Sequence, residues 1–206
     1  TYELEQVVDA LSVKLLAAFA DWIRLIVIPT RQSLTMPPAR IDAAARFINF
    51  NYTAALQRLY GVPDANVWHI HGAAERPSDP LVLGHGWRPT PKERWSARID
   101  HERDNTRVME GAAILDRYFD KTFKPTEKII ADHAARFSAL ADVDDVRVLG
   151  HSLSDVDLPY LAQVAALIKP GAHWRISYRG DFTWLQAQLD QFAPGAAVTF
   201  HALPDI

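Results

Sequence analysis

The segment from Arg46 to Gly72 limits the fold most narrowly, because it predicts a strand, a short helix and a second strand in immediate succession. The apolar run Ala45–Asn51 is typical of a strand that is covered on both faces, and Val67–Gly72 predicts the next strand. Tyr52–Tyr60 predicts the intervening helix, with Gly61 as its C-terminal cap. This alternation favours parallel strand pairing.

Polar side chains stand at the end of each of these two strands. Asn49 and Asn51 end the first strand, and His69 and His71 end the second, followed by Gly72. Residues two apart share a strand face, so one of Asn49 and Asn51 is expected to orient the other. In open α/β sheets, ligands bind beyond the carboxyl ends of the strands, which predicts a ligand site here. Two structural alternatives stay open: Asn51 caps the next helix, and His71 is a hydrogen-bonded core histidine.

The rest of the chain continues to alternate strands and helices. The pattern predicts an α/β fold, a Rossmann-like, mostly parallel sheet with helices on both faces and a helical insertion. Further strands are predicted at Leu81–Gly84, Val146–Leu149, His173–Tyr178 and Ala197–His201. Further helices are predicted over Val108–Phe119, Thr126–Leu140, the segment that Ser154 caps and that runs to about Ile168, and Phe182–Phe192.

One domain spanning residues 1–206 is expected, with residues 89–140 as a helical excursion or cap within it. At the start of the chain, apolar residues recur at helical spacing and predict a stripe that faces the core. The stripe consists of Leu4, Val8, Leu11, Leu15, Phe19 and Trp22. Proline-rich segments predict a loop at Thr30–Arg40 and a turn at Ala74–Pro80.

Composition excludes several classes of protein. The chain contains no cysteine, so disulfides, a cysteine nucleophile and cysteine-bound zinc cannot occur. A net charge of −3 argues against broad electrostatic capture of nucleic acid. The early apolar run is interrupted by Asp21 and Arg24, so no membrane span is expected. We therefore expect a cytoplasmic protein that uses neither a membrane nor nucleic acid as its partner.

Three motifs together resemble the AbiH family of bacteriophage abortive-infection proteins. In chain order they are F-I-N-F-N-Y-T (47–53) with H-I-H-G (69–72), L-V-L-G-H-G (81–86), and V-L-G-H-S-L-S-D-V-D-L-P-Y (148–160). The resemblance implies a protein of anti-phage defence. The same motifs are more distantly similar to the core of sirtuin-like NAD-binding domains.

The sirtuin-like resemblance implies roles for individual residues. Asn51 would orient the nicotinamide end of NAD or a water molecule, and His71 would engage the ribose hydroxyls and act as a base. Gly150 and Ser152 would form the turn that meets ribose and phosphate. The other residues implied at the nucleotide are Asn49, Thr53, Gly72, His151, Asp155 and Asp157. The implied reaction is hydrolysis of NAD without a metal, and the expected partners are NAD or a related nucleotide and a homo-oligomer or partner chain.

The chain departs from these families at three points. The cysteine-bound zinc module of deacylating sirtuins cannot exist here, because the chain contains no cysteine. Thr53 stands where many sirtuins have an aspartate. AbiH-like chains carry a G-N-G-F-D-type segment near their start, and nothing before Thr30 supplies it. The sequence also begins at Thr1, within a predicted helix. We therefore expect this chain to lack an N-terminal nucleotide-binding segment, either because the chain is a fragment and the segment lies upstream of Thr1 or because this copy has lost it.

Three alternative functions stay open. His69 and His71 form a His-x-His spacing on one strand face; with His85, His151 and Asp155 this would suit a metal-dependent hydrolase or nuclease.

The segment 150–154 differs by one residue from the nucleophile elbow G-x-S-x-G, and Asp181 and His201 follow in α/β-hydrolase order. A non-catalytic nucleotide-sensing or partner-binding module is the third alternative.

Overall fold

A computed structural model describes residues 1–35, 40–76 and 78–203. Their contacts divide the chain into two compact units, residues 1–84 with 88–123 and residues 85–87 with 124–206. The predicted excursion at 89–140 therefore contributes to both units, and the single domain stays a prediction. The predicted loop at 30–40 and turn at 74–80 include residues 36–39 and Pro77, which lie outside the described residues.

The first unit begins with a helical segment over residues 2–24, called the N-terminal helix below. It consists of α1 (Tyr2–Asp9), a π-helical segment (Ala10–Lys14) and α2 (Leu15–Arg24). The Ser12 hydroxyl donates to the Val8 carbonyl at 2.6 Å, a side-chain bond within the region where the helix widens. The predicted core stripe is wrong in part, because Leu11, Leu15 and Trp22 are exposed.

The first two predicted strands are confirmed as a parallel pair but are shorter than predicted. β1 (Phe47–Asn49) pairs with β2 (Val67–His69) in the register Phe47↔Val67 to Asn49↔His69. Between them lie α3 (Ala55–Tyr60) and a 3₁₀ turn (Asp64–Asn66). Gly61 caps α3 as predicted, with φ +71° and its amide donating to the Gln57 carbonyl at 3.1 Å.

The strand predicted at Leu81–Gly84 is wrong, because this segment is irregular. Its Val82 amide donates to the His71 carbonyl at 2.9 Å, but Pro80, just before the segment, has no N–H with which to extend a ladder. The next helix, α4 (Thr106–Thr122), is capped by Asn105, whose side chain accepts from the Val108 amide.

The segment before α4 is tied to that helix by one carboxylate. Asp116 of α4 accepts hydrogen bonds from the amides of Trp95 and Ser96 at 2.8 and 3.1 Å and from the Ser96 hydroxyl at 2.5 Å. Burial raises the pKa of Asp116, but these hydrogen bonds outweigh it and hold the pKa below its ordinary value.

The second unit is built on a parallel three-stranded sheet in the order β3–β4–β5, and its strands match the sequence predictions closely. The strands are β3 (Asp145–Val148), β4 (His173–Tyr178) and β5 (Ala197–Ala202). The helices are α5 (Thr126–Asp132), α6 (Ala134–Ser138), α7 (Leu158–Leu167) and α8 (Thr183–Phe192). Phe137, Tyr160, Trp174, Ile176 and Leu189 are among its buried core residues.

Two predicted helix boundaries in the second unit are wrong. The helix predicted over 126–140 breaks at His133, whose backbone (φ −115°, ψ 23°) is not helical. Ser154 does not cap α7, which begins at Leu158 after Asp157. Pro159 fits the first turn of that helix, where its missing N–H costs nothing, and this explains the later start.

The class predicted from the sequence is confirmed as mixed α/β with short parallel sheets. The Rossmann-like arrangement stays a prediction, because the described strands form one two-stranded and one three-stranded sheet. Among the described residues, every helix is too short or too polar to cross a membrane.

Candidate functional site

The polar residues after β1 and β2 meet at one end of the two-stranded sheet. Asn49 and His69 are partners in the register, and both are 7% exposed. The Asn49 side-chain oxygen accepts from the Asn51 amide at 3.0 Å and so fixes the backbone that leaves β1. One asparagine is expected to orient the other, and the contact found runs from the Asn49 side chain to the Asn51 backbone.

His69 is held at both ring nitrogens. Its Nδ1 lies 2.9 Å from the Asn51 carbonyl oxygen, which only accepts, so Nδ1 carries the proton. Its Nε2 lies 3.2 Å from the Gln57 side-chain nitrogen and accepts from it. This neutral, buried ring connects β2, the turn after β1 and α3, which is a structural role.

His71 lies in a different environment, buried among aromatic rings. It is 3% exposed, with its ring edge-on to Phe50 at 5.4 Å between centroids and 6.3 Å from Tyr52. The Tyr52 hydroxyl donates to the Val82 carbonyl at 2.7 Å, and the Val82 amide donates to the His71 carbonyl at 2.9 Å. The backbone around His71 is thus fixed from both sides.

Gly72 is required by the close approach of the chain after it. Its φ is +83°, and a Cβ at this position would lie 2.6 Å from the Pro80 carbonyl oxygen. A side chain would meet rigid backbone as well as an unfavourable φ. The glycine of the H-I-H-G motif therefore has a steric reason of its own.

Asn51 and Thr53 occupy the turn between β1 and α3. Asn51 is exposed and Thr53 is half-buried. The alternative that Asn51 caps the helix is wrong, because the N-cap residue of α3 is Ala54. The first unit thus brings together Asn49, Asn51, Thr53, His71 and Gly72.

The second unit presents the loop after β3. Gly150 has φ +62°, and its amide donates to the Ser177 hydroxyl at 2.8 Å. Leu153 also has a positive φ, of +52°, although it is fully buried and not a glycine. Ser152 is exposed, and its carbonyl accepts from the Trp184 ring nitrogen at 3.1 Å. The positive φ of Leu153 is a strained conformation for a bulky residue, and strain of this kind is common at functional sites.

A buried polar cluster supports this loop. The Leu153 amide donates to His151 Nδ1 at 2.9 Å, so the His151 proton is on Nε2, 3.4 Å from Asp157. The Lys124 ammonium donates to Asp157 at 2.6 Å, and both residues are less than a tenth exposed. The strained backbone of Leu153 is therefore connected through His151 and Asp157 to a buried cation.

The sequence analysis missed Lys124 as part of this cluster. Its one signal is a lysine placed between Phe123 and Pro125, where no helical pattern gives it a solvated face. The expected Asp155 is exposed and accepts from the buried Gln188 side chain at 2.8 Å. The second unit thus brings together Gly150, His151, Ser152, Asp155 and Asp157.

The structure gives little to the metal alternative. Both ring nitrogens of His69 are already engaged, so the His-x-His pair has lost one ligand. Within residues 1–35, 40–76 and 78–203, no group of three or more histidine, aspartate or glutamate side chains is placed to hold a metal ion.

The serine-hydrolase alternative is also without its geometry. Asp181 accepts from the backbone and the hydroxyl of Thr183 at 2.9 and 2.7 Å, and these bonds lower its pKa. In the part of the chain that the structure describes, no hydrogen bond joins His201 to Ser152 or Asp181. A charge relay through these residues is therefore not assembled.

A surface depression of about 350 Å³ in the second unit lies elsewhere. Its lining comes from α7, from the segment between α7 and β4, and from residues 192–197, around the amino ends of β4 and β5. Ligands of parallel α/β sheets bind at the carboxyl ends, and the lining is mostly alanine, glycine and proline. We do not assign it to the site.

Comparison with known proteins gives one match. A family model described as "Bacteriophage abortive infection AbiH" matches residues 1–178, which include all the motifs at the ends of β1, β2 and β3. No curated protein and no solved structure matches the chain.

Proposed function

The chain belongs to the AbiH family of bacteriophage abortive-infection proteins, and we propose that it acts in anti-phage defence by binding and hydrolysing NAD at a sirtuin-like site. Loss of NAD would starve the infected cell. The proposal includes a Rossmann-like fold and a cytoplasmic location, where the protein would meet NAD.

The observation that carries the proposal is the contrast between His71 and Asn51. His71 is buried against aromatic rings at the end of β2, while Asn51 is exposed just after β1, the neighbouring strand. Exclusion of water strengthens the electrostatic interactions of a buried polar group such as the His71 ring, and an exposed carboxamide can reach a ligand. His69, with the same spacing in the motif, is occupied by structural hydrogen bonds.

The proposed reaction breaks the bond between the ribose C1′ and the nicotinamide nitrogen. The bonding electrons leave with nicotinamide, and water attacks C1′ as oxocarbenium character develops. The products are nicotinamide, ADP-ribose and a proton. Asn51 would hold the nicotinamide carboxamide or the attacking water, and His71 would accept hydrogen bonds from the ribose hydroxyls or the proton of water. A positioned histidine base contributes typically about 10²–10⁴-fold.

For the second unit, taken by itself, we propose that the loop 150–153 contacts the ribose and phosphate of a nucleotide. The left-handed Gly150 and the exposed Ser152 hydroxyl support this role. Asp157 and His151 would act on the nucleotide through the loop, as positioning residues, since Asp157 is engaged with Lys124.

The test is nicotinamide release from NAD, measured by chromatography with the whole chain. We expect Asn51→Ala and His71→Ala each to lower the rate by about 100-fold or more, while a chelator changes nothing. His101→Ala, at an exposed position, is the matched control and should keep the wild-type rate. Circular dichroism checks that the buried His71→Ala variant is folded.

Binding of NAD is titrated in the same samples by calorimetry. Binding without release favours the alternative of a non-catalytic nucleotide sensor. Release that survives in both variants removes Asn51 and His71 from the mechanism. If NAD is neither bound nor hydrolysed, the proposal of an NAD site is contradicted altogether.

A further inference from the structure

The N-terminal helix carries an exposed apolar stripe. It consists of Val7, Leu11, Leu15, Ala18 and Trp22, and it ends at Leu25, the residue that caps the helix. The larger side chains are about half exposed or more, from 48% at Leu11 to 78% at Leu25. An apolar patch of this extent on a protein surface marks an interaction site more often than chance.

The other face of the same helix is already used by the first unit. Val8, Ala20 and Ile23 are buried, and the Phe19 ring meets Tyr52 edge-on at 5.1 Å. The Arg24 side chain donates to the Ala74 carbonyl at 2.8 Å. The helix is therefore fixed on its own unit, and the stripe lies beside that contact, where the Trp22 ring meets the Phe19 ring at 5.9 Å between centroids.

The spacing of the stripe is that of a helix-pairing seam. From Leu11 to Leu25 the steps alternate between four and three residues, the a/d pattern with which two helices pack side by side. With ordinary side-chain areas, the exposed apolar surface is on the order of 600 Å² per copy, close to the roughly 800 Å² per partner of a stable interface.

The charges beside the seam select the partner and its direction. Lys14 and Asp21 are seven residues apart and flank the seam on the same side. In an antiparallel pair centred on Ala18, Lys14 of each copy faces Asp21 of the other copy. In a parallel pair Lys14 and Asp21 of the two copies would lie on opposite sides of the seam and would not meet. The stripe is thus complementary to itself.

We propose that the N-terminal helix is a homodimer interface, in which two copies of this chain pair antiparallel through the stripe around Ala18. The small side chain of Ala18 lets the two backbones approach at the two-fold axis. Lys14 and Asp21 now pair with Asp9 at 3.8 Å and Arg24 at 2.8 Å, and exposed ion pairs of this kind rearrange at little cost. The proposal does not depend on the nucleotide chemistry.

The first test is the mass of the whole chain by sedimentation across a concentration series, with a matched pair of variants. Leu15 and Val13 are 51% and 52% exposed, but only Leu15 lies in the stripe. Leu15→Glu should raise the dissociation constant of the dimer by about 30-fold or more, as for an interface hot spot. Val13→Glu should leave the dimer intact.

The second test is direction, by cross-linking. The chain has no cysteine, so a single introduced cysteine gives one interpretable product. Diamide takes up two electrons and two protons as two Ala18→Cys thiols form a disulfide, and we expect a linked dimer. Leu11→Cys should not link to itself, since antiparallel copies hold these positions about 20 Å apart.

The third test is charge exchange. Lys14→Asp and Asp21→Lys should each weaken the dimer, and combining them should restore it. A monomeric wild-type chain, equal effects of Leu15→Glu and Val13→Glu, or self-linking of Leu11→Cys would each overturn the proposal. Binding of the monomer to lipid vesicles through the stripe would also overturn the proposal, because the stripe would then contact a lipid surface and not a second copy.

Discussion

At the residue scale, Gly72 is the position where a single methyl group should do most damage. We expect Gly72→Ala to lower the free energy of unfolding by about 2–4 kcal/mol, because a Cβ meets the Pro80 carbonyl in addition to the unfavourable φ. Gly61→Ala is the matched control: its φ is similar, +71°, but open space surrounds the added carbon. It should cost only about 1 kcal/mol. Urea unfolding measures both, and equal costs would contradict the steric account.

The two histidines of the H-I-H-G motif show what a sequence resolves at this scale and what it does not. The strand-end position of both, and their shared face, followed from the two-residue period. Their different roles did not, because the Gln57 side chain that occupies His69 comes from the next element along the chain. The two-residue period of a strand shows which residues share a face. It does not show which side chains from other elements contact them.

At the element scale, Asp116 should make the first unit sensitive to acid. Its folded-state pKa is lowered, so its contribution is present above the unfolded value of about 3.9 and is lost as the pH falls through the lower folded value. Asp116→Asn should therefore cost about 1.5–3 kcal/mol at pH 7, and progressively less below about pH 4. Urea titrations at several pH values test this. The exposed Asp132→Asn should change little, and a pH-independent cost at position 116 would contradict the linkage.

In the second unit, replacing one member of the buried pair of Lys124 and Asp157 should destabilise the fold more than replacing both. Lys124→Met leaves a buried carboxylate without its cation and should cost about 3 kcal/mol or more. Adding Asp157→Leu removes the stranded charge, so the double variant should be more stable than the single variant. A double-mutant cycle by urea unfolding measures this. Strictly additive costs would show that the two charges do not interact.

Elements were predictable where local chemistry decides them. The strands of the second unit alternate β-branched or aromatic residues with other residues, a pattern typical of strands, and the cap at Gly61 follows from its backbone preference, so both agreed with the structure. The failed strand at Leu81–Gly84 has residues typical of a strand but follows Pro80, which has no N–H to donate to a ladder. The core stripe predicted on the N-terminal helix was wrong in part, because helical spacing does not distinguish residues that face the core from apolar residues that are exposed.

At the scale of the whole molecule, the alternation of strands and helices predicts parallel neighbours but not how many sheets they form. The two strands of each parallel pair follow one another in the sequence and are joined by a single crossover segment that contains a helix. The long segment between β2 and β3 carries α4 to α6 and separates the two sheets, and no local pattern reports that break. The family was predictable, because its motifs are short runs whose order survives in the sequence.

The last prediction concerns the whole chain and does not depend on turnover. A ligand that binds only the folded state stabilises it by about 2.7 kcal/mol at 100 times its Kd. For a chain of 206 residues this corresponds to a rise in Tm of roughly 5–10 °C. We expect NAD to raise the Tm of the wild type, measured by differential scanning fluorimetry, and to raise that of Asn51→Ala much less. His101→Ala should respond like the wild type. An equal rise in Asn51→Ala would mean that NAD binds without the β1 turn, and an absent rise in the wild type would contradict NAD as the ligand.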